Sequence, residues 1–214
     1  MSLQLDQRRS NFSSLTLINF KMTTITSDTL TTLLREVGVE SIDNSTLTNI
    51  GEKYPKYLKD LRINISNGFN SPNLTKKESY LIAYGVAINE KNQVLIKGLE
   101  SRSKEEGASD EEIAEIASCV SLLNANNVYY RFRHFTQKDF YTQTPAGIKM
   151  SIMASPVTGK EFFELVSLVI SALNGCEMCV NAHEESLLKL NTSQSRILDS
   201  IRLGAVLKSL AAVL

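Results

Sequence analysis

Three segments of the chain open with a hydroxyl residue, place a glutamate three positions later, and continue into apolar residues at helical spacing. They are Thr75-Lys-Lys-Glu78, Ser109-Asp-Glu-Glu112 and Thr158-Gly-Lys-Glu161. In such a capping box the hydroxyl accepts from the third helical amide and the glutamate reaches back to the cap amide, so each segment predicts a helix start. Apolar stripes on one helical face follow: Ile113, Ile116, Ala117, Val120 and Leu123, then Ile197, Ile201 and Ala205, with Thr192 reading as the cap of the last helix. Earlier in the chain Ser27 caps a helix carrying Leu30, Leu33, Leu34 and Val37 and stopped by Gly38. Leu47, Ile50 and Tyr54 predict a short second helix. Pro55 opens a third, with Leu58, Leu61 and Ile65 inward and Gly68 as its end. No stretch alternates with period two between turn residues. Ten glycines and four prolines in 214 residues are too few turn-makers for a many-stranded sandwich or barrel. The fold class read from these signals is all-α, with nine or ten helices.

Residues 1–26 are rich in Ser, Thr, Asn and Gln and predict a flexible N-terminal arm. Residues 27–214 read as a single all-α domain, with Gln137–Gly147 as its long polar connection and a C-x-x-C half at about 158–214. A loose internal repeat places Glu78 over Glu164, an offset of 86 residues, although the capping threonines fall out of register. A helix, helix, capped-helix pattern at 78–123 then recurs at 161–214. Glu90, Gln93 and Lys97 lie over Cys176, Cys179 and His183, so the first copy reads as scaffold and the second as the carrier of chemistry.

Charge and composition exclude several functions. Lys plus Arg and Asp plus Glu are 23 each, which is not the basic footprint of a nonspecific nucleic-acid binder. The longest apolar candidate, Leu165–Leu173, has nine residues and two serines, short of the roughly 18 of a membrane span. Arg8 and Arg9 are not followed by an apolar signal region. Three cysteines, Cys119, Cys176 and Cys179, are too few and too odd for a disulfide framework, and the expectation is a soluble cytoplasmic protein in a reducing compartment. There is no G-x-G-x-x-G and no P-loop, so neither nucleotide nor flavin is implied.

The chemistry-bearing segment is Glu161–Glu185, EFFELVSLVISALNGCEMCVNAHEE. A helix from about Gly159 to Leu173 ends at Asn174-Gly175, and the next starts near Cys176. Cys176, Cys179 and His183 then fall at i, i+3 and i+7 on one face. Two cysteines at i, i+3 lie about 5–6 Å apart at their β-carbons, and a small rotation closes a disulfide. Unpaired amides at a helix start favour a thiolate. His183, one turn beyond Cys179, is placed to accept or relay the thiol proton. Glu164 stands in an apolar stretch of the preceding helix and needs a partner, and His183 is the obvious one. The relay reads Glu164, His183, Cys179, with Cys176 as the resolving thiol.

This segment resembles the alkylhydroperoxidase D family, within the carboxymuconolactone decarboxylase-like superfamily, whose motif is E-x11-C-x-x-C-x3-H. Glu164, Cys176, Cys179 and His183 stand at those spacings, and Asn174-Gly175 and Ala182-His183-Glu184 match as well. Tyr54–Leu61, Asn126–Arg131 and Met150–Pro156 also resemble family stretches, so the likeness runs from about residue 53 to the C-terminus. The resemblance implies an all-α fold with an internal repeat, a trimer-based homo-oligomer, and thiol-dependent reduction of hydroperoxides in antioxidant defence. It implies a dithiol or lipoyl-type electron donor, a peroxiredoxin as partner, and no metal or other cofactor. Cys179 would be peroxidatic and Cys176 resolving, with His183 and Glu164 as the proton relay. One position departs: Met178 stands where the family pattern has histidine, and a thioether carries no proton, so the relay is shortened.

Other readings of these residues stay open. Cys176, Cys179, His183 and Glu164 could together ligate zinc, although a structural zinc site usually draws on two separated loops. The cysteine pair could be a non-catalytic redox switch, or the chain a cofactor-free decarboxylase-like enzyme of the wider superfamily. Cys119 reads as a packing cysteine. His134, in the aromatic-basic run Tyr129–Phe135, reads as a surface or interface residue.

Overall fold

The computed structural model describes residues 28–214. The expected N-terminal arm and the Ser27 cap lie outside the described residues. Ten α-helices follow in order: α1 (residues 28–36), α2 (Ser45–Lys53), α3 (Pro55–Phe69), α4 (Lys76–Asn89), α5 (Gln93–Glu105), α6 (Asp110–Thr136), α7 (Asp139–Gln143), α8 (Lys160–Leu173), α9 (Glu177–Lys189) and α10 (Gln194–Ala211). A 3-10 turn, Ser151–Met153, precedes α8. No strand occurs among the described residues. The helix α7 interrupts what reads in the sequence as an unbroken polar connection.

The centre of the molecule is the pair α4 and α8, which pack on each other and are each flanked by both α6 and α10. Ser79–Ala87 of α4 and Phe162–Ser171 of α8 are buried on every side, which explains why α4 shows no one-sided stripe. In α8 the polar side chains Glu164, Ser167 and Ser171 still share one face, where they meet His183 of α9 and Cys119 and Asn127 of α6. The helices α5 and α9 fold back on α4 and α8 respectively, and α3 covers α10.

The repeat is real, but its offset is 84 residues, not 86. The bounds of α4 and α8, and of α5 and α9, differ by 84 at both ends, and α6 and α10 begin 84 apart. The turns follow: Lys91 and Gly175 are both left-handed (φ 59° and 67°), and so are Gly107 and Asn191 (87° and 62°). Glu164 therefore lies over Tyr80, and Cys176, Cys179 and His183 lie over Asn92, Leu95 and Leu99. Core packing obeys the same offset with the partners exchanged. A Cβ on Gly85 of α4 would meet Val120 Cγ2 of α6 at 3.5 Å, and in the second copy a Cβ on Gly204 of α10 would meet Val169 Cγ1 of α8 at 2.6 Å. One small and one branched residue fill each crossing, from opposite sides.

Two of the three capping boxes form, with Thr75 accepting from Glu78 N and Ser109 from Glu112 N. The third does not. Gly159 is the N-cap of α8, and the Thr158 hydroxyl instead donates to Glu115 Oε2 at 2.6 Å. Glu161 is taken by Arg196, whose guanidinium also holds Glu78 and so ties α10 to α4 and α8. Thr192 does not cap α10 either; it donates to Glu161 Oε1, and Ser193 is the cap. The buried stripe of α10 is Leu203, Gly204, Leu207 and Leu210, leaving Ala205 exposed. Gly68 does not end α3 but lies buried inside it, where a Cβ would meet Leu203 at 2.9 Å.

Candidate active site

The turn between α8 and α9 sets the site. Gly175 holds φ 67° with open space around its α-carbon, so its role there is conformational. The Gly175 N–H returns to Ala172 O and the Cys176 N–H to Ser171 O, each at 3.1 Å, closing the end of α8. Cys176 is thereby the N-cap of α9, and Cys179 is the third residue of its first turn. Their α-carbons are 5.3 Å apart and the two sulfurs form a disulfide. From the antiparallel neighbour α8, Glu164 Oε2 meets His183 Nδ1 at 2.7 Å, and Glu164 is only 8 % exposed. The spacing-based pairings, Cys176 with Cys179 and Glu164 with His183, are both present.

A cavity of about 320 Å³ opens over this arrangement. Cys179, Ala182, His183 and Met178 of α9 form one wall, Leu123, Asn126, Asn127 and Tyr130 of α6 another, and Met150 and Met153 a third. Cys179 faces it and Cys176 does not. A position nearer the helix end would suggest that Cys176 is the more exposed residue, but Cys176 is 1 % and Cys179 7 % exposed, because the turn ties the Cys176 backbone back to Ser171 of α8. In this state the four candidate zinc donors are engaged with one another in two pairs.

The carboxymuconolactone decarboxylase family model matches residues 142–214. An alkyl hydroperoxide reductase AhpD of Beijerinckia indica is 33 % identical over 168 residues, covering 78 % of this chain and 93 % of the relative. The AhpD of Coxiella burnetii (Dugway strain) is 34 % identical over 165 residues, 76 % and 93 % of the two chains. That of Brucella canis is 32 % identical over 169 residues, 78 % and 95 %. The chain belongs to the AhpD family. The stretch matched by the family model holds α8, α9 and α10, and so all four motif residues, while the likeness to AhpD relatives is long enough to reach into the first copy of the repeat.

Sequence reasoning missed the groups that hold the AhpD-type turn in place. Asn174 is clamped on three sides: its carbonyl accepts from Arg131 Nη1 (2.5 Å), its amide donates to Asn127 Oδ1 (2.9 Å), and its side-chain oxygen accepts from Asn89 (3.0 Å). Asn127 passes on to Ser171 Oγ, and Asn124 donates to Asn89. Apart from Ser171, these residues come from α4 and α6, far from Asn174 in sequence. A signal existed: three asparagines within four residues, Asn124, Asn126 and Asn127, are poor formers of a helix interior and need a polar reason to be there. The buried carboxylate Glu115 accepts from Val157 N, Thr158 N and the Thr158 hydroxyl, pinning the segment that leads into α8.

The remaining candidates stay outside the cavity lining. Cys119 is free and fully buried, 3.5 Å from Ser167 Oγ, and burial pushes its thiol up to about 12. It is a packing residue. His134 sits half-buried in the last turn of α6, with Nε2 3.4 Å from Glu177 of α9. No helix of the described residues is long and apolar enough to cross a membrane.

Proposed function

We propose that this chain is a thiol-dependent hydroperoxide reductase acting in antioxidant defence. The observation that carries this reading is the joining of a disulfide-bonded cysteine pair to a buried Glu164–His183 pair at one apolar cavity. In the dithiol form, Cys179 Sγ attacks the peroxide oxygen and the O–O bond breaks. The departing alkoxide is protonated through His183, which Glu164 orients, and Cys179 is left as a sulfenic acid. Cys176 then attacks that sulfur, water leaves, and the disulfide forms. A dithiol of lipoyl type reduces it by attack at Cys179, the sulfur that faces the cavity. Cys176 leaves as a thiolate among the unpaired amides at the start of α9, where negative charge is favoured. We further propose a peroxiredoxin-type partner, in keeping with a family named for alkyl hydroperoxide reduction, and a reducing compartment such as the cytoplasm, in keeping with three cysteines that form no disulfide framework.

The site roles are Cys179 peroxidatic, Cys176 resolving, and His183 and Glu164 proton relay. Peroxide consumption with a dithiol donor, combined with trapping of sulfenic acid, tests them. Cys179→Ser is expected to abolish both consumption and trapping. Cys176→Ser is expected to trap sulfenic acid without turning over. Reversal of that pattern would exchange the two roles. A disulfide that forms without peroxide turnover would leave only a redox switch.

We read residues 27–214 as one domain, because a single core runs from Leu33 to Leu210. Assembly is read as a trimer-based homo-oligomer. Support comes from exposed aromatics on α6 and α7: Phe135 and Phe140 are 73 % and 74 % exposed, and Phe132 packs edge-on to Tyr141. Light scattering at micromolar concentration decides it, and a monomer overturns it.

A further inference from the structure

The chain has five methionines. All three that lie among the described residues, Met150, Met153 and Met178, line the cavity that holds Cys179 and His183. They reach it from two separate segments, the 3-10 turn ahead of α8 and the first turn of α9. Thioethers are flexible and polarizable, which suits an apolar wall that must accept varied ligands. They are also the side chains that peroxide converts to sulfoxide. In the disulfide state both thiols of the site are spent. The nucleophilic sulfurs that then face the cavity are the thioethers, since Cys119 is sealed in the core.

We propose that Met150, Met153 and Met178 form a modification site, oxidised to methionine sulfoxide when hydroperoxide outlasts the supply of dithiol. This rests on the hydroperoxide reading only for the source of the oxidant. The thioether sulfur attacks the peroxide oxygen, the S–O bond forms as the O–O bond breaks, and the hydroperoxide proton ends on the departing alkoxide as an alcohol. Sulfur loses two electrons and the peroxide gains them. A polar sulfoxide then replaces an apolar methyl thioether in the wall, and apolar hydroperoxides lose their preference for the cavity. The geometry also sets an order. Met178 is 41 % exposed at the rim and reacts first. Met150 reacts last, because its sulfur already accepts Asn126 Nδ2 at 3.2 Å.

The test uses the full-length chain in its disulfide form, exposed to cumene hydroperoxide or hydrogen peroxide, with peptide mass spectrometry at all five methionines. The ratio of oxidation at the cavity methionines to that at Met22 is expected to be about tenfold higher with cumene hydroperoxide. That ratio corresponds to about 1.4 kcal/mol of preferential entry. Excess dithiol is expected to delay the cavity oxidation until the dithiol is consumed. Equal ratios with both peroxides would mean indiscriminate surface oxidation and would overturn the proposal. After oxidation, turnover of cumene hydroperoxide is expected to fall several-fold more than turnover of hydrogen peroxide. A Met150→Leu, Met153→Leu, Met178→Leu variant is expected to keep whatever rate it had before treatment; loss equal to the wild type would also overturn the proposal. The Cys176→Ser, Cys179→Ser double variant separates the two readings. Selective methionine oxidation there, with no peroxide turnover in the wild type, defeats only the enzyme reading. Turnover in the wild type with unselective oxidation defeats only this one.

Discussion

Replacing Glu164 with glutamine keeps an acceptor for His183 Nδ1 but removes the charge from it. The bond is 2.7 Å long, between side chains 10 % and 12 % exposed, so water does little to screen it. A hydrogen bond to a charged group contributes about 1.5–3 kcal/mol against about 0.5–1.5 for a neutral one. The difference, about 1–1.5 kcal/mol, corresponds to about tenfold in rate if the pair acts in the transition state. Alanine removes the acceptor entirely and leaves a nearly buried ring nitrogen unpaired, about 1–2 kcal/mol more. The expected order is therefore wild type, then Glu164→Gln about tenfold slower, then Glu164→Ala about a hundredfold slower. The assay is stopped-flow reaction of the reduced protein with hydroperoxide. Diamide, which joins the thiols without needing the relay, is expected to form the disulfide at similar rates in all three. Urea midpoints on the same samples separate chemistry from unfolding. The relay argument fails if both variants react within twofold of the wild type, or if they are equally slow.

Three further outcomes follow from the packing and the charges. Gly204→Ala places a Cβ 2.6 Å from Val169 Cγ1, an overpacking of about 1–3 kcal/mol set against about 1 kcal/mol gained in helix propensity, and Val169→Ala is expected to relieve it. A double-mutant cycle in urea with no coupling would contradict that crossing. Burial alone would raise the Glu78 carboxyl, but its bonds to Arg196 and to the Thr75 amide outweigh burial and hold it below the usual carboxylate range. The unfolded chain then takes up the proton first, so the Glu78 contribution is full above that range and is lost as pH falls through the folded value. Arg196→Met is expected to flatten the fall of urea stability below about pH 4.5, and parallel curves would show that the pair is not the source. Cys119, its thiol pushed up to about 12, is expected to resist iodoacetamide at pH 8 in the native reduced protein and to react in urea. Labelling at the rate of Cys176 and Cys179 would mean that the core opens.

What could be read from the sequence divides by distance along the chain. The Thr75 and Ser109 caps, the Pro55 start and the Gly175 stop act within a few residues and formed as read. Thr158 and Glu161 had the same local pattern and failed, because Glu115 and Arg196 arrive from 35 or more residues away. A buried carboxylate accepting three hydrogen bonds outcompetes a cap in which one amide donates to the hydroxyl. The motif of Glu164, Cys176, Cys179 and His183 was legible because α8 and α9 are consecutive, whereas the asparagine clamp spans three helices. The repeat was found by matching one glutamate to another, but the backbone aligns by its caps, two residues away.

The corrected register also explains where the cysteines stand. Asn92 caps α5, and its side chain accepts from Leu95 N, three residues on, at 3.0 Å. The equivalent positions of α9 are Cys176 and Cys179. A side chain at the N-cap already points toward the third helical residue, so the slot that holds a capping hydrogen bond in the first copy holds a disulfide in the second. Cys176 makes no side-chain capping bond, a loss of about 0.5–2 kcal/mol of helix stability. The amides released from capping are the groups that favour a thiolate at that helix start. The second copy thus gives up a local stabilising bond at the position where the proposed chemistry needs positive potential and two sulfurs within reach of each other.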